Sequence, residues 1–257
     1  MLNHRIARNL FLLIVLLLAA FAGYGALSWW WLTLPIGLFV FLLFIGTVMI
    51  RARYFLPLLN HGDRSRREVA LTFDDGPRDI TLPIARCLDK HGVQGTFFLI
   101  GENVRKKPEV VAELVRSGHT VGNHGYYHKW WFPLRWTRNM VREMEACEKA
   151  IEQAAGVRPR WFRPPFGLTN PRVAAAVLRH EVVPVGWDVR SYDTVIGTGS
   201  MLSARLRKSV RPGSIILLHD TNEELVAFLD AFLPWLQSEG FKVVPLEKMI
   251  HETPYRD

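Results

Sequence analysis

Acidic residues are missing from the first fifth of this chain. Met1 to Ile50 contains no Asp or Glu and only two arginines, Arg5 and Arg8. Cysteine is scarce as well: Cys87 and Cys147 lie in segments of helical periodicity, without CxxC or CxxH neighbours. Nothing in their spacing argues for a disulfide or a cysteine-rich zinc module, which leaves two small buried side chains. Long basic runs are lacking too. The net charge is +8, yet the cations are scattered among acids except at the short Arg64, Arg66, Arg67 cluster. Nucleic acid is therefore not expected as a partner, and an anionic membrane surface is. No internal repeat or low-complexity tract occurs outside the apolar segments.

What the first fifth has instead is apolar length. Residues 10–27 (LFLLIVLLLAAFAGYGAL) and 32–50 (LTLPIGLFVFLLFIGTVMI) are uncharged. Each approaches the ~20 residues that a helix needs to cross the hydrocarbon core. Ser28, Trp29, Trp30 and Trp31 between them suit the headgroup boundary. A cleaved signal peptide would account for the first segment but not the second. The expectation is a two-helix transmembrane hairpin over residues 1–55, a basic linker over 56–66, and one domain over 67–257. Basic residues flank both outer ends, so the charge rule places the domain in the cytoplasm, attached to the cell membrane. A longer single anchor with an extracytoplasmic domain is the alternative.

From Glu68 onward the pattern alternates strand and helix. Strands are expected at 68–73, 95–100, just before His124, 160–163, 182–186, 214–218 and 242–244. Helices are expected at 82–90, 108–118, 137–155, 171–180, 201–210 and 222–238. Glu143, Glu145, Glu148, Lys149 and Glu152 are read as the solvent side of the helix 137–155. Such alternation predicts a mainly parallel α/β sheet or barrel, with chemistry just beyond the carboxyl ends of its strands. Asp74 and Asp75 end the first strand, and His124 and His128 follow the third. Arg163 ends another strand, and His219 and Asp220 end the penultimate one.

Two adjacent carboxylates at a strand end need cations or hydrogen bonds if they are buried. Histidines four apart can face the same way, and imidazole suits zinc and its neighbours. Two histidines plus one carboxylate, with a position left for water, is the donor set of a catalytic zinc site.

Thr72-Phe-Asp-Asp-Gly-Pro77, His124-Gly-Tyr-Tyr-His128, Arg163-Pro-Pro-Phe-Gly167 and Leu217-Leu-His-Asp220 occur in one order. With these motifs, residues 67–250 resemble the polysaccharide deacetylases of carbohydrate esterase family 4, the NodB homology domain. The resemblance implies a distorted, incomplete (β/α) barrel that hydrolyses an N-acyl group, chiefly acetyl, from an amino sugar. It implies one divalent ion, usually Zn2+, on Asp75, His124 and His128. Asp74 would be the general base, held by Arg163, and His219 the general acid, tuned by Asp193. Phe166, Leu217 and Trp187 would lie on the substrate side, with a backbone N–H near Phe166 at the oxyanion and Leu217 at the acetyl methyl.

The family pattern is broken in three places. Gly125 stands where Ser or Thr braces the metal loop, which puts its rigidity in doubt. Thr194 stands where a sugar-lining Trp is usual, and Arg190 where an acid is common. The expected partners are the lipid bilayer and an N-acylated amino sugar, in a glycan or lipid-linked. Alternatives are a deacetylase of peptidoglycan or a chitin-like polymer outside the membrane, and a catalytically inactive sugar-binding relative. His4, His61, His91, His119, His180 and His251 are read as surface or packing residues. The segment Lys129 to Trp136, with three tryptophans among cations, is read as either a lid or a loop lying at the bilayer surface.

Overall fold

In the computed structural model, which describes residues 3–256, eight strands run parallel. They are β1 (Glu68–Gly76), β2 (Thr96–Leu99), β3 (Thr120–Asn123), β4 (Trp161–Phe162), β5 (Val183–Pro184), β6 (Val189–Arg190), β7 (Ser214–His219) and β8 (Lys242–Val243). Their spatial order is β5-β4-β3-β2-β1-β7-β6, and β8 pairs with the start of β1. The sheet curls into an incomplete (β/α) barrel of the expected kind.

The two-residue period of the strands sorts the core into two layers. Val69, Leu71 and Phe73 of β1, with Ile216 and Leu218 of β7, pack outward among Ile84, Leu88, Leu229 and Leu233 of the helices. Ala70 of β1 and Ile215 and Leu217 of β7 belong to a separate inner cluster with Phe98, Trp161 and Phe162. Continuing the inner columns, from Ala70 through Thr72 in β1 and from Leu217 in β7, reaches Asp74 and His219. The hydrophobic period that buries the barrel interior therefore also aims the reactive side chains.

The helices Thr137–Ala155 and Pro171–His180 have the limits expected from sequence. β6 and the short helix Gly101–Lys106 are additions, since elements of two and six residues carry too little period to be read. The helix Thr137–Ala155 also corrects an expectation. Glu143 and Glu148 are buried. Glu143 pairs with Arg135 at 2.9 Å, and Glu148 lies between His180 at 2.6 Å and Arg158. A polar helix face can thus be covered when its partners come from distant segments, which helical spacing cannot reveal.

Two helices precede the barrel. His4–Gly23 starts on Asn3, whose side chain accepts from the Ile6 N–H, a regular N-cap. It begins six residues before the apolar run and ends before the Tyr24-Gly25 turn, where Gly25 takes a left-handed φ of 75°. The second helical stretch, Trp29–Val48, opens with a 3₁₀ turn through the three tryptophans. Both stretches are 20 residues long and apolar enough to cross a membrane. They pack on each other through Phe11 and Phe39, with ring centroids 4.4 Å apart. Most of their large side chains are exposed, including Leu16, Leu38 and Phe44.

Residues 56–62, expected as linker, are instead part of the barrel wall. Leu56 and Leu58 are buried, each worth ~1.5–3 kcal/mol of burial. The Leu59 N–H donates to Pro184 O at 3.0 Å, and the Gly186 N–H donates to Leu59 O at 2.9 Å. The segment thereby runs along the β5 edge and on to the start of β7, where His61 bridges Ser214. Asn60 donates to Ile50 O, tying it to the end of the second helix.

Candidate active site

Asp74 and Asp75 cannot both point inward from a regular strand, because successive side chains alternate. A bulge solves this. Asp74 pairs with Phe98 and Gly76 with Leu99, so Asp75 is the extra residue, at a left-handed φ of 80°. Aspartate tolerates that conformation better than most residues. Both carboxylates then reach the barrel mouth, where His124 Nε2 lies 3.6 Å from Asp74 Oδ2, and they differ in their other partners.

Asp74 faces Arg163. The guanidinium NH1 donates to Asp74 Oδ1 and to Thr72 Oγ1, each at 2.8 Å. NH2 donates to Gly186 O at 2.9 Å, and the Phe98 ring lies 4.1 Å beneath the cation. Arg163 is wholly buried. Burial lowers its pKa, and Asp74 opposes that shift. With four such partners the pair has the compensation that a buried ion pair requires.

Asp75 faces the histidines. Its Oδ1 lies 3.4 Å from His128 Nε2 and 3.8 Å from His124 Nε2, and it is a buried acceptor with no hydrogen-bond partner. The three donor atoms all lie within 4.8 Å of one another. Ligands ~2.1 Å from a tetrahedral zinc would stand about 3.4 Å apart, so the set fits a divalent ion. His124 Nδ1 lies 2.8 Å from Arg163 O, which assigns the proton to Nδ1 and leaves the Nε2 lone pair free. Burial, then the nearby His128, pushes the His124 pKa well down, keeping the ring in its neutral, ligating form.

The loop carrying these histidines is firmly braced. Gly125 takes φ +80° and its N–H donates to Asn123 Oδ1 at 2.8 Å. Its carbonyl accepts from the Gly101 N–H at 3.0 Å, and Tyr126 O accepts from the Glu102 N–H at 2.9 Å. The doubt raised by the missing Ser or Thr is thus removed. This backbone favours glycine, and Asn123 with the 101–106 helix supplies the bracing.

His219 ends the inner column of β7. Its Nδ1 lies 2.8 Å from Asp193 Oδ1, and its backbone N–H donates to Asp193 Oδ2 at 2.7 Å. Ser191 Oγ also donates to Asp193, at 2.7 Å. Burial lowers the His219 pKa, but the Asp193 hydrogen bond and charge outweigh it, and the net shift is upward. Asp193 shifts downward, because His219 and Ser191 overcome the effect of burial.

The three substrate-side residues separate. Leu217 is buried one inward step before His219. Phe166 is half-exposed at a left-handed φ of 59°, with its ring 4.4 Å from that of His128. Trp187 is not open to the mouth. It is buried, with its ring 5.5 Å from Arg163 and against Gly167. The contact explains why position 167 must be small. Residue pattern did not point to Thr72, Asn123 or Ser191, nor to Thr81, which donates to buried Asp220. Burial drives the Asp220 carboxyl up to about 8. Only Asp220 carried a signal, its place beside His219.

The Lys129–Trp136 segment divides. Phe132 and Pro133 are buried as an anchor, while Trp130, Trp131, Leu134 and Trp136 are exposed. Asn170 donates to Pro133 O and Arg172 to Leu134 O, whereas the next-door Thr169 bonds the carbonyls of Gly46 and Thr47. Segment 169–172 therefore joins the tryptophan loop to the end of the second apolar helix.

Fold and site together define a class: an incomplete (β/α) barrel with a two-His, one-Asp centre at the carboxyl ends of its strands. Residues 61–185 match the polysaccharide deacetylase family. The chain is 31% identical over 218 residues to the chitooligosaccharide deacetylase of Bradyrhizobium sp. (strain ANU 289), covering 76% of this chain and 98% of that protein. It is 28% identical over 190 residues to the peptidoglycan-N-acetylglucosamine deacetylase PgdA of Listeria monocytogenes, covering 74% of this chain but 40% of that longer protein. Among solved structures it resembles the peptidoglycan N-acetylglucosamine deacetylase Bc1960, in complex with 4-naphthalen-1-yl-N-oxidanyl-benzamide. The TM-score is 0.71 and the identity 31%, over 77% of this chain and 94% of that one. The chain belongs to the polysaccharide deacetylases, carbohydrate esterase family 4.

Proposed function

We propose that this protein is a divalent-metal-dependent N-deacetylase of amino sugars, held at the membrane by its two apolar helices. The observation that carries the reading is the β1 bulge. It turns two adjacent carboxylates to one mouth and gives one an arginine and the other two histidines. Asp75, His124 and His128 would hold the ion, which would supply a Lewis acid to acidify water and polarise the amide carbonyl. The N-hydroxy amide bound by Bc1960 is a chelating group, which supports a metal.

The remaining steps belong to the chain's own groups. Asp74, held by the Arg163 hydrogen bond, accepts a proton from the attacking water. His219, protonated on Nε2 and held through Nδ1 by Asp193, returns a proton to the departing amine. Leu217 backs the mouth beside His219, where an acetyl methyl would be placed. Phe166 packs the metal-loop histidine. Atoms balance as amide plus water giving free amine and acetate. Zinc is the ion that the donor set suits best.

The finer substrate reading is a lipid-linked amino sugar. Four exposed apolar side chains beside the end of an apolar helix suit the bilayer boundary, where tryptophan and cations are favoured. Both helices expose most of their apolar surface, which a bilayer would cover. The alternative is a cell-wall polymer outside the membrane, favoured by the relatives' peptidoglycan and chitooligosaccharide substrates. Incubating the full chain with an N-acetylated chitooligosaccharide should release acetate in a chelator-sensitive manner; no acetate from any N-acetylated sugar refutes the activity. A phosphatase fused after the last residue reports the side. An active phosphatase places the domain outside and makes the polymer the substrate.

A further inference from the structure

A cavity of about 590 Å³ lies between the end of the second apolar helix and the barrel wall, apart from the metal cluster. Val48, Met49 and Ile50 form one wall. The other side carries five cations: Arg51, Arg190, Arg205, Lys208 and Arg211. Among the described residues its only carboxylate is Asp188, which is already engaged by Arg64 at 2.8 Å, the Ile215 N–H at 2.8 Å and Ser214 Oγ at 3.2 Å. Arg211 reaches that carboxylate only at 3.5 Å. Among the described residues, Arg51, Arg190, Arg205 and Lys208 have no carboxylate within ion-pair distance.

Three of these cations, Arg51, Arg190 and Arg205, are nonetheless held in place. The Tyr192 ring sits between Arg190 and Arg205, 4.8 and 4.4 Å from their guanidinium carbons. Arg205 Nε donates to Arg190 O at 3.0 Å, and Arg51 donates to Asp188 O at 3.1 Å. Carbonyl oxygens and an aromatic face position the positive charges without neutralising them. A cluster of that kind is completed by an anion, and guanidinium forks match phosphate.

Two walls tie the cavity to the reaction centre. Arg190 begins the run Arg190-Ser-Tyr-Asp193, whose last residue holds His219. Trp187 backs both the cavity and the Gly167 turn beside Phe166. The apolar wall lies where the helix leaves its uncharged stretch, which in a membrane-crossing helix would be the level of lipid headgroups.

We propose that this cavity binds the phosphate of a lipid-linked amino sugar, with the lipid chain along the apolar helices and the sugar reaching the metal mouth. The proposal rests on the deacetylase reading above and names its substrate class. The test uses the full chain in detergent, titrated with a polyprenyl monophosphate, the matching polyprenol, phosphatidylglycerol and inorganic phosphate. The polyprenyl monophosphate should bind at least tenfold more tightly than the other three. The double variant R190Q/R205Q, and separately R51Q, should lose that preference while keeping metal and cleavage of a soluble chitooligosaccharide. Equal binding of the polyprenol, or unchanged binding in both variants, overturns the site. Equal binding of phosphatidylglycerol or of inorganic phosphate overturns the substrate assignment. Failure of the deacetylase reading registers separately, as absent metal and acetate, and the titration still decides the phosphate site.

Discussion

The barrel mouth and the face turned to the apolar helices handle charge in opposite ways. At the mouth, Arg163 is wholly buried and meets Asp74, Thr72 and two backbone carbonyls. Beside the helices, Arg190, Arg205 and Lys208 are exposed and lack carboxylate partners among the described residues. A buried charge must find its partners inside the protein, whereas an exposed cluster can leave them to a ligand or a membrane. The first region is built to hold one geometry, and the second to meet something that arrives.

The largest expected effect breaks the mouth. Arg163→Met leaves Asp74 buried without its cation and should cost about 3–5 kcal/mol of stability together with all measurable activity. Denaturant unfolding checks this, and a loss under 1 kcal/mol would mean that the pair is not what holds the mouth. Next come the two groups proposed to move protons. Asp74→Asn and His219→Ala should each lower kcat by about 10²–10⁴-fold. Steady-state kinetics on any cleaved substrate decides it, and a near-normal rate removes the assigned role.

Asp193→Asn sharpens the comparison through pH. Asp193 raises the His219 pKa against the lowering effect of burial. As the proposed acid, His219 must be protonated, so activity is expected below that raised value and is lost as pH rises through it. Without the Asp193 charge, the alkaline limb of the rate profile should move to lower pH. A limb that stays in place assigns it to another group.

The smallest expected stability effect lies on the other face. Trp130→Ser with Trp136→Ser should change stability by no more than about 0.5 kcal/mol, since both side chains are exposed. The same change should weaken binding of the full chain to anionic lipid vesicles, measured by flotation. Unchanged flotation with lowered stability would make the loop a lid.

Short apolar runs explain what the sequence disclosed. Those of β1 and β7 end on Asp74 and Asp75 and on His219 and Asp220, which marks the strand ends, while the alternation that points Asp74 and His219 inward shows only in the fold. The donor set was legible because Asp75, His124 and His128 lie within sequence motifs. Bracing was not, because it is made between distant segments: Asn123 with Gly125, the 101–106 helix with the metal loop, and Ser191 with Asp193. Glu148 misleads for the same reason. It has the spacing of a solvent-facing residue, while its partners His180, Arg158 and Arg256 are supplied by the fold. Residues 56–62 have no regular period at all, so their place along β5 and the start of β7 could only be seen in three dimensions.

The central claim is that one bulge assigns different work to neighbouring carboxylates. Elemental analysis of purified wild type, Asp74→Asn and Asp75→Ala tests it most directly. The account predicts one divalent ion per chain in the wild type and in Asp74→Asn, and almost none in Asp75→Ala. Equal metal content in the two variants would contradict it.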